Sequence, residues 1–224
     1  LIKGIRMEVI SHLIRRSERI EIFLLSEFDK SYVPIVYSLL QVALGPESIE
    51  DMMSFKKSIS RTTDPEVKPT IICALIQNEP IAVLIGSYLR ELNMGFICYG
   101  AVEKKWRNNG IYSVMRSLMK NLFVEEAGSD KLAFIISEMS KSSMLYANYV
   151  TRNTAFKAPC HYEQPGVQGL QAKPMKLIIQ PVSRREPPRK GELIKIINVI
   201  YNRIYRVTNV SDNISFKRIA KSLS

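Results

Sequence analysis

Apolar and polar positions alternate in two distinct rhythms along the chain. Ile20-Glu21-Ile22-Phe23-Leu24-Leu25 reads as a strand. From Ser31 to Leu44 the period changes, with Val33, Val36, Tyr37, Leu40 and Leu44 at helical spacing before Gly45-Pro46 stops the helix. Ser48, with Asp51 three residues on, predicts a capped short helix running toward Ile59. Arg61 to Pro69 is polar, carries two prolines and reads as a loop.

Three strand-like runs follow, Thr70 to Ile76, Ile81 to Leu92 and Met94 to Val102, separated by Asn78-Glu79-Pro80 and Asn93. Short turns of this kind predict an antiparallel meander. Ile111, Val114, Met115, Leu118, Met119, Leu122 and Phe123 then mark one face of a helix, and Lys131 to Ile136 is a strand again. A strand, a glycine-containing turn, a helix and a strand make a β-α-β unit, right-handed by the usual rule. Ser142 to Phe156 is expected to be helical. Lys157 to Lys173 reads as a long loop with a short strand near Tyr162, and Met175 to Gln180 as a last strand.

Past the Pro187-Pro188 linker, Leu193, Ile196, Ile197, Ile200, Ile204 and Val207 form an apolar helical stripe. A second amphipathic segment runs from Ile214 to Leu223. A stripe of this length cannot remain in water, and docking on the body of the same chain is the expectation; a second copy of the chain (a homodimer) could also cover it, and binding to an anionic membrane surface is the runner-up.

Composition narrows the class. The 224 residues are 46% hydrophobic and 24% charged, as in globular domains. No apolar run reaches the roughly 18 residues of a transmembrane helix. Net charge is +11, but residues 20–182 contribute only +1 of it, 1–19 contribute +3 and 183–224 contribute +7. The chain is therefore divided into a basic N-terminal segment (1–19), a central domain (20–182) and a basic C-terminal extension (183–224). Without a nucleic-acid motif beside the charge, nucleic-acid binding is disfavoured. Cys73, Cys98 and Cys160 are odd in number and widely spaced. No disulfide framework and no metal site is expected, and a reduced, cytoplasmic protein is the simplest reading. Cys98, in an apolar strand, is read as a small buried hydrophobe rather than a nucleophile.

The chemistry concentrates in Gly100-Ala101-Val102-Glu103-Lys104-Lys105-Trp106-Arg107-Asn108-Asn109-Gly110-Ile111-Tyr112. It leads from a strand end through a basic, glycine-containing turn into a helix. Backbone N–H groups at such a helix start lack partners and suit an anion. Gly110 permits close backbone approach. Neither a Walker A pattern nor G-x-G-x-x-G is present.

This segment resembles the acyl-CoA-binding motif of the GNAT superfamily of N-acetyltransferases, V-x-P-x-x-R-x-x-G-x-G/A. Val102, Arg107 and Gly110 match; Lys104 replaces the usual Pro, and Tyr112 the usual small residue. The order of elements follows the family across 20–182. The resemblance implies an α+β fold in three layers, with a mixed, mostly antiparallel central sheet flanked by helices. It implies transfer of an acetyl group from acetyl-CoA to a primary amine by direct attack in a ternary complex, without a metal. The acceptor, a small amine or a peptide, is not specified. The co-substrate would pair with backbone at Ala101 and Val102 and set its pyrophosphate on Arg107, Asn108, Asn109, Gly110, Ile111, Tyr112 and Ser113. Tyr112 would either crowd that pyrophosphate or turn away. The family's acid is often a Tyr on the helix after the second core strand, which points to Tyr146 or Tyr149, three residues apart on one face. Glu138, at the end of the strand that opens with Leu132, is the first candidate base and Glu103 the second. Two other classes remain: a non-catalytic GNAT-fold module that binds acyl-CoA or a protein, and a basic nucleic-acid-associated factor.

Overall fold

The computed structural model describes residues 6–9, 20–25, 32–45, 49, 51–59, 64–141, 143, 146–147, 154–166 and 171–223. Its centre is an eight-stranded mixed sheet with strand order β1-β2-β3-β4-β5-β6-β10-β7. The strands are β1 (Arg6–Val9), β2 (Ile20–Leu25), β3 (Val67–Ile76), β4 (Glu79–Leu89), β5 (Met94–Val102), β6 (Phe134–Met139), β7 (Phe156–Lys157) and β10 (Lys176–Pro181). Between β7 and β10, β8 (Glu163–Gln164) and β9 (Lys173–Pro174) form a separate two-stranded ribbon. Every neighbouring pair in the large sheet is antiparallel except β5 with β6. This is the mixed, mostly antiparallel α+β architecture expected from the element order. The basic N-terminal segment adds its edge strand, since Arg6–Val9 pairs with β2.

The helices are α1 (Val33–Leu44), α2 (Met52–Ile59), α3 (Ile111–Ala127), α4 (Lys190–Val199) and α5 (Ile214–Leu223). At the start of α2 the Asp51 Oδ1 accepts the Met53 N–H at 2.9 Å. Ser48 itself, and most of the helix expected over Ser142 to Phe156, lie outside the described residues; the expected end of that helix does not hold, since Phe156 opens β7.

Strand parity sorts the helices into layers. Ala82, Leu84 and Tyr88 of β4 pack with Met115, Met119 and Phe123 of α3 on one face. The opposite parity, Val83 and Ile85, packs with Val36 and Leu40 of α1 and Phe55 of α2. Leu89, of that same parity, instead joins Phe96, Ile136, Ile196, Ile197 and Tyr201. Two helical groups thus share one face of the sheet, α1–α2 over its first half and the C-terminal extension over its second. Leu193, Ile196, Ile197 and Ile200 are buried, so the extension docks on its own chain as its stripe demands. At about 1.5–3 kcal/mol per buried aliphatic side chain, this is a large contribution.

The helical period breaks inside that stripe. After α4 the backbone widens into a π-helical turn over Ile200–Ile204, where the Tyr205 N–H donates to the Ile200 carbonyl at 3.2 Å. The shift brings Tyr205 over the buried Ile200, a place that an unbroken 3.6-residue period gives to Ile204.

Candidate active site

The site begins where β5 leaves β6. Their parallel pairing runs from Met94↔Phe134 to Ile97↔Ser137 and ends there. At that point β5 carries a bulge: opposite β4, Ile85 pairs with Tyr99 and Gly86 with Ile97, which leaves Cys98 extra. A bulge bends its strand and increases local twist, so the C-terminal half of β5 turns away with β4 and a wedge opens between β5 and β6. Cys98 and Tyr99 therefore face the same side, Cys98 against the C-terminal helices and Tyr99 against Phe55 of α2. Cys98 is half-buried against apolar groups, less covered than the buried hydrophobe expected.

The turn into α3 sits at the open end of this wedge. The Arg107 Nε donates to the Val102 carbonyl at 3.0 Å, tying the turn back to the end of β5. Trp106 is buried beneath it, and the Asn109 side-chain amide donates to the Trp106 carbonyl at 3.3 Å. Gly110 has φ +79°, and a Cβ there would meet nothing within 4 Å. The glycine is favoured by its left-handed backbone, not by packing. No side chain caps α3. The first intrahelical bond runs from the Val114 N–H to the Gly110 carbonyl at 3.1 Å, so the amides of Ile111, Tyr112 and Ser113 precede the helical ladder.

Tyr112 turns away from this cradle. Its ring lies against Gly100 of β5, with Arg116 close to its hydroxyl. The Arg116 Nη2 donates to Oε1 of Gln180 on β10 at 2.7 Å. Of the two orientations left open by the sequence, the structure adopts the one that leaves the turn clear. The other residues expected near a co-substrate keep to this frame: Ala101 is buried on the α1 side of β5, Asn108 is exposed with φ +65°, and Ser113 is exposed on the first turn of α3.

Glu138 stands one residue past the last β5–β6 pair, with the parity of Phe134 and Ile136. It faces the C-terminal helices, where Tyr162 and Tyr205 both donate their hydroxyls to its carboxylate, Tyr162 to Oε1 and Tyr205 to Oε2. Burial pushes the Glu138 carboxyl up to about 7, and the two hydrogen bonds pull the other way. Both phenols are raised well above their ordinary value, first by burial and then by the carboxylate itself. The sequence pointed to Glu138 but not to its partners. They lie 24 and 67 residues away, one in the segment read as a loop and one displaced into place by the π turn.

The remaining candidates separate. Glu103 pairs with exposed Lys105 at 3.2 Å, and its N–H donates to the Ile81 carbonyl on β4, on the far side of β5 from the wedge. Tyr146 is half-buried, and its N–H donates to the Ser143 Oγ at 3.0 Å. Tyr149 lies outside the described residues.

No family profile matches the chain, and no curated protein matches its sequence. Solved structures do match. An acetyltransferase of the GNAT family from Bacteroides thetaiotaomicron superposes with a TM-score of 0.58 at 16% identity, covering 80% of this chain and 95% of its own. A tandem GNAT protein from the clavulanic acid biosynthesis pathway gives 0.50 at 13% identity, over 64% of this chain and 46% of its own. The chain has the GNAT N-acetyltransferase fold.

Proposed function

We propose that the protein is an acetyl-CoA-dependent N-acetyltransferase. The observation that carries this reading is the wedge opened by the β5 bulge. An uncapped helix start lies at its mouth, and a buried, tyrosine-held carboxylate at the first residue beyond its apex. The turn suits a pyrophosphate: three first-turn amides, the Arg107 guanidinium and an open Gly110 face lie together. The co-substrate supplies the activated acetyl carbon.

The chain's own residues divide the proton work. In its ionised form Glu138 takes a proton from the attacking amine, and a carboxyl held near 7 is well placed to do so at neutral pH. The N–C bond forms as the C–S bond breaks, and the sulfur takes a second proton. Tyr146 or Tyr149 is proposed as the hydroxyl that delivers it. A primary amine remains the acceptor class, since acceptor pockets are set by loops rather than by the fold.

Particular contacts favour the acetyltransferase over the two other readings. The non-catalytic module was motivated by Tyr112 and by a weak acid/base set; Tyr112 lies against Gly100, and Glu138 is held by two phenols. The nucleic-acid reading rested on the basic extension. There Arg184 pairs with Glu192, Arg203 with Asp64 at 3.2 Å and Arg218 with Glu163 at 3.5 Å. These cations are partly spent on the protein itself.

The test is transfer from acetyl-CoA to a panel of primary amines, amino acids and peptides. The expected result is turnover that Glu138→Gln lowers at least about 100-fold, the scale of general-base catalysis. Retained full turnover in Glu138→Gln removes Glu138 from the reaction. Full turnover in both Tyr146→Phe and Tyr149→Phe removes the tyrosines.

A further inference from the structure

The C-terminal extension reaches the wedge at one point. Tyr205 follows the π-helical turn, and several bonds hold that turn in place. The Val207 N–H donates to the Tyr201 carbonyl at 3.0 Å, which closes the chain behind Tyr205. Arg206 takes a left-handed φ of +59° to make that reversal. Arg203 bridges Asp64 at 3.2 Å and Glu91 at 3.7 Å, fastening the turn to the ends of the meander. At the front of the extension, Glu192 pairs with Arg184 and accepts the Arg189 N–H at 3.4 Å, which fixes the start of α4. A regular helix would not deliver a phenol to this spot. π turns cost hydrogen-bond geometry and recur where a side chain must be re-aimed.

We propose that Tyr205 is a positioning residue for Glu138, so that the C-terminal extension is an integral part of the active site and not an accessory to it. This rests on the acetyltransferase reading for its consequence in turnover, but the contact itself stands without that reading. Glu138 has two carboxylate oxygens and one phenol on each, Tyr162 from the β7–β8 segment and Tyr205 from the extension. Two donors fix the plane of the carboxylate and favour its ionised form; one donor leaves it free to rotate. The other titratable groups around the pair are Tyr201, Cys160 and Tyr99. Tyr201 gives its hydroxyl to the Glu163 carbonyl and not to Glu138, which makes it an internal control on the same turn.

The experiment is a carboxyl-carbon NMR titration of Glu138 in the full chain, compared among wild type, Tyr205→Phe and Tyr201→Phe. Loss of a donor to the ionised form raises the midpoint. The expected result is a rise of about one pH unit or more in Tyr205→Phe and little change in Tyr201→Phe. An unmoved midpoint in Tyr205→Phe, or an equal rise in Tyr201→Phe, overturns the proposal. Each variant removes one oxygen only, and a thermal melt checks that both stay folded. Should Tyr205→Phe fail to fold, Arg203→Ala, which loosens the same turn, gives the same readout: an unmoved midpoint there overturns the proposal. Activity enters second. The acidic limb of kcat/KM is expected to move up with the NMR midpoint. A moved midpoint without any transfer activity counts against the acetyltransferase reading and leaves the positioning contact standing.

Discussion

The ring of Tyr112 rests on the backbone of Gly100: a Cβ added at Gly100 would stand 2.7 Å from Tyr112 Cε2 and 3.1 Å from Leu84 Cδ1. Gly100 lies on the splayed half of β5 and Tyr112 in the first turn of α3, so this contact holds the Tyr112 ring off the turn that leads into α3. Gly100→Ala is expected to push the ring outward, at about 1–3 kcal/mol in stability as overpacking usually costs, and to weaken acetyl-CoA binding. Adding Tyr112→Ala should restore both. Chemical denaturation and calorimetry of the single and double variants check the coupling.

The Glu138 carboxyl also makes stability depend on pH. Its folded value is about 7 and its ordinary value 4.5, so the folded state holds the proton over a range in which the unfolded state releases it. Where the folded state binds more protons, stability falls as pH rises. The wild type should lose stability between about 4.5 and 7, on the order of a few kcal/mol at most, and level off above. Glu138→Gln should flatten that slope and be the more stable form at pH 8. Unfolding free energies at pH 5 and pH 8 decide it; an unchanged slope in the variant means that the carboxyl is not the cause.

Docking of the extension should be visible in stability as well. Ile197 is fully buried between α4 and the sheet. Ile197→Ala is expected to cost about 2–5 kcal/mol. Removal of everything after Ser183 uncovers Phe96, Ile136 and Ile179 and should abolish cooperative melting. Unchanged melting would mean that the extension packs on nothing that matters to the fold.

Element order was legible because both periods were clear. The meander, α3 and the last strand fall close to where alternation and helical spacing put them, but β3 begins at Val67, inside the stretch read as a loop, and Arg90–Leu92 forms a tight helical turn where strand was expected. The turn at Gly110 was legible for the same reason, since a glycine between a strand end and an apolar helix stripe has few other uses. Glu138 could be picked out by its place at a strand end. Its partners could not. Tyr162 sits in a stretch without periodicity, and Tyr205 is off the 3.6-residue stripe by one position, so the period favoured Ile204. A π turn leaves no composition signal. The bulge at Cys98 was hidden for a related reason: Ile97 to Gly100 continues an apolar run on a strand covered on both faces, and such a run does not reveal a slipped alternation. The orientation of Tyr112 depended on Gly100, Arg116 and Gln180 together, a constellation that only the closed sheet assembles.

The proposed acetyltransferase needs the turn from Arg107 to Ser113 to hold the pyrophosphate of acetyl-CoA. Titration calorimetry with acetyl-CoA tests it on the wild type, Gly110→Val and Arg107→Ala. Saturable binding is expected in the wild type. A modest loss is expected in Arg107→Ala, whose side chain also braces the Val102 carbonyl. The larger loss, roughly tenfold or more, belongs to Gly110→Val, which places a branched side chain at φ +79° on the open face of the turn. No measurable binding by the wild type at millimolar acetyl-CoA, or full affinity in Gly110→Val, would contradict it.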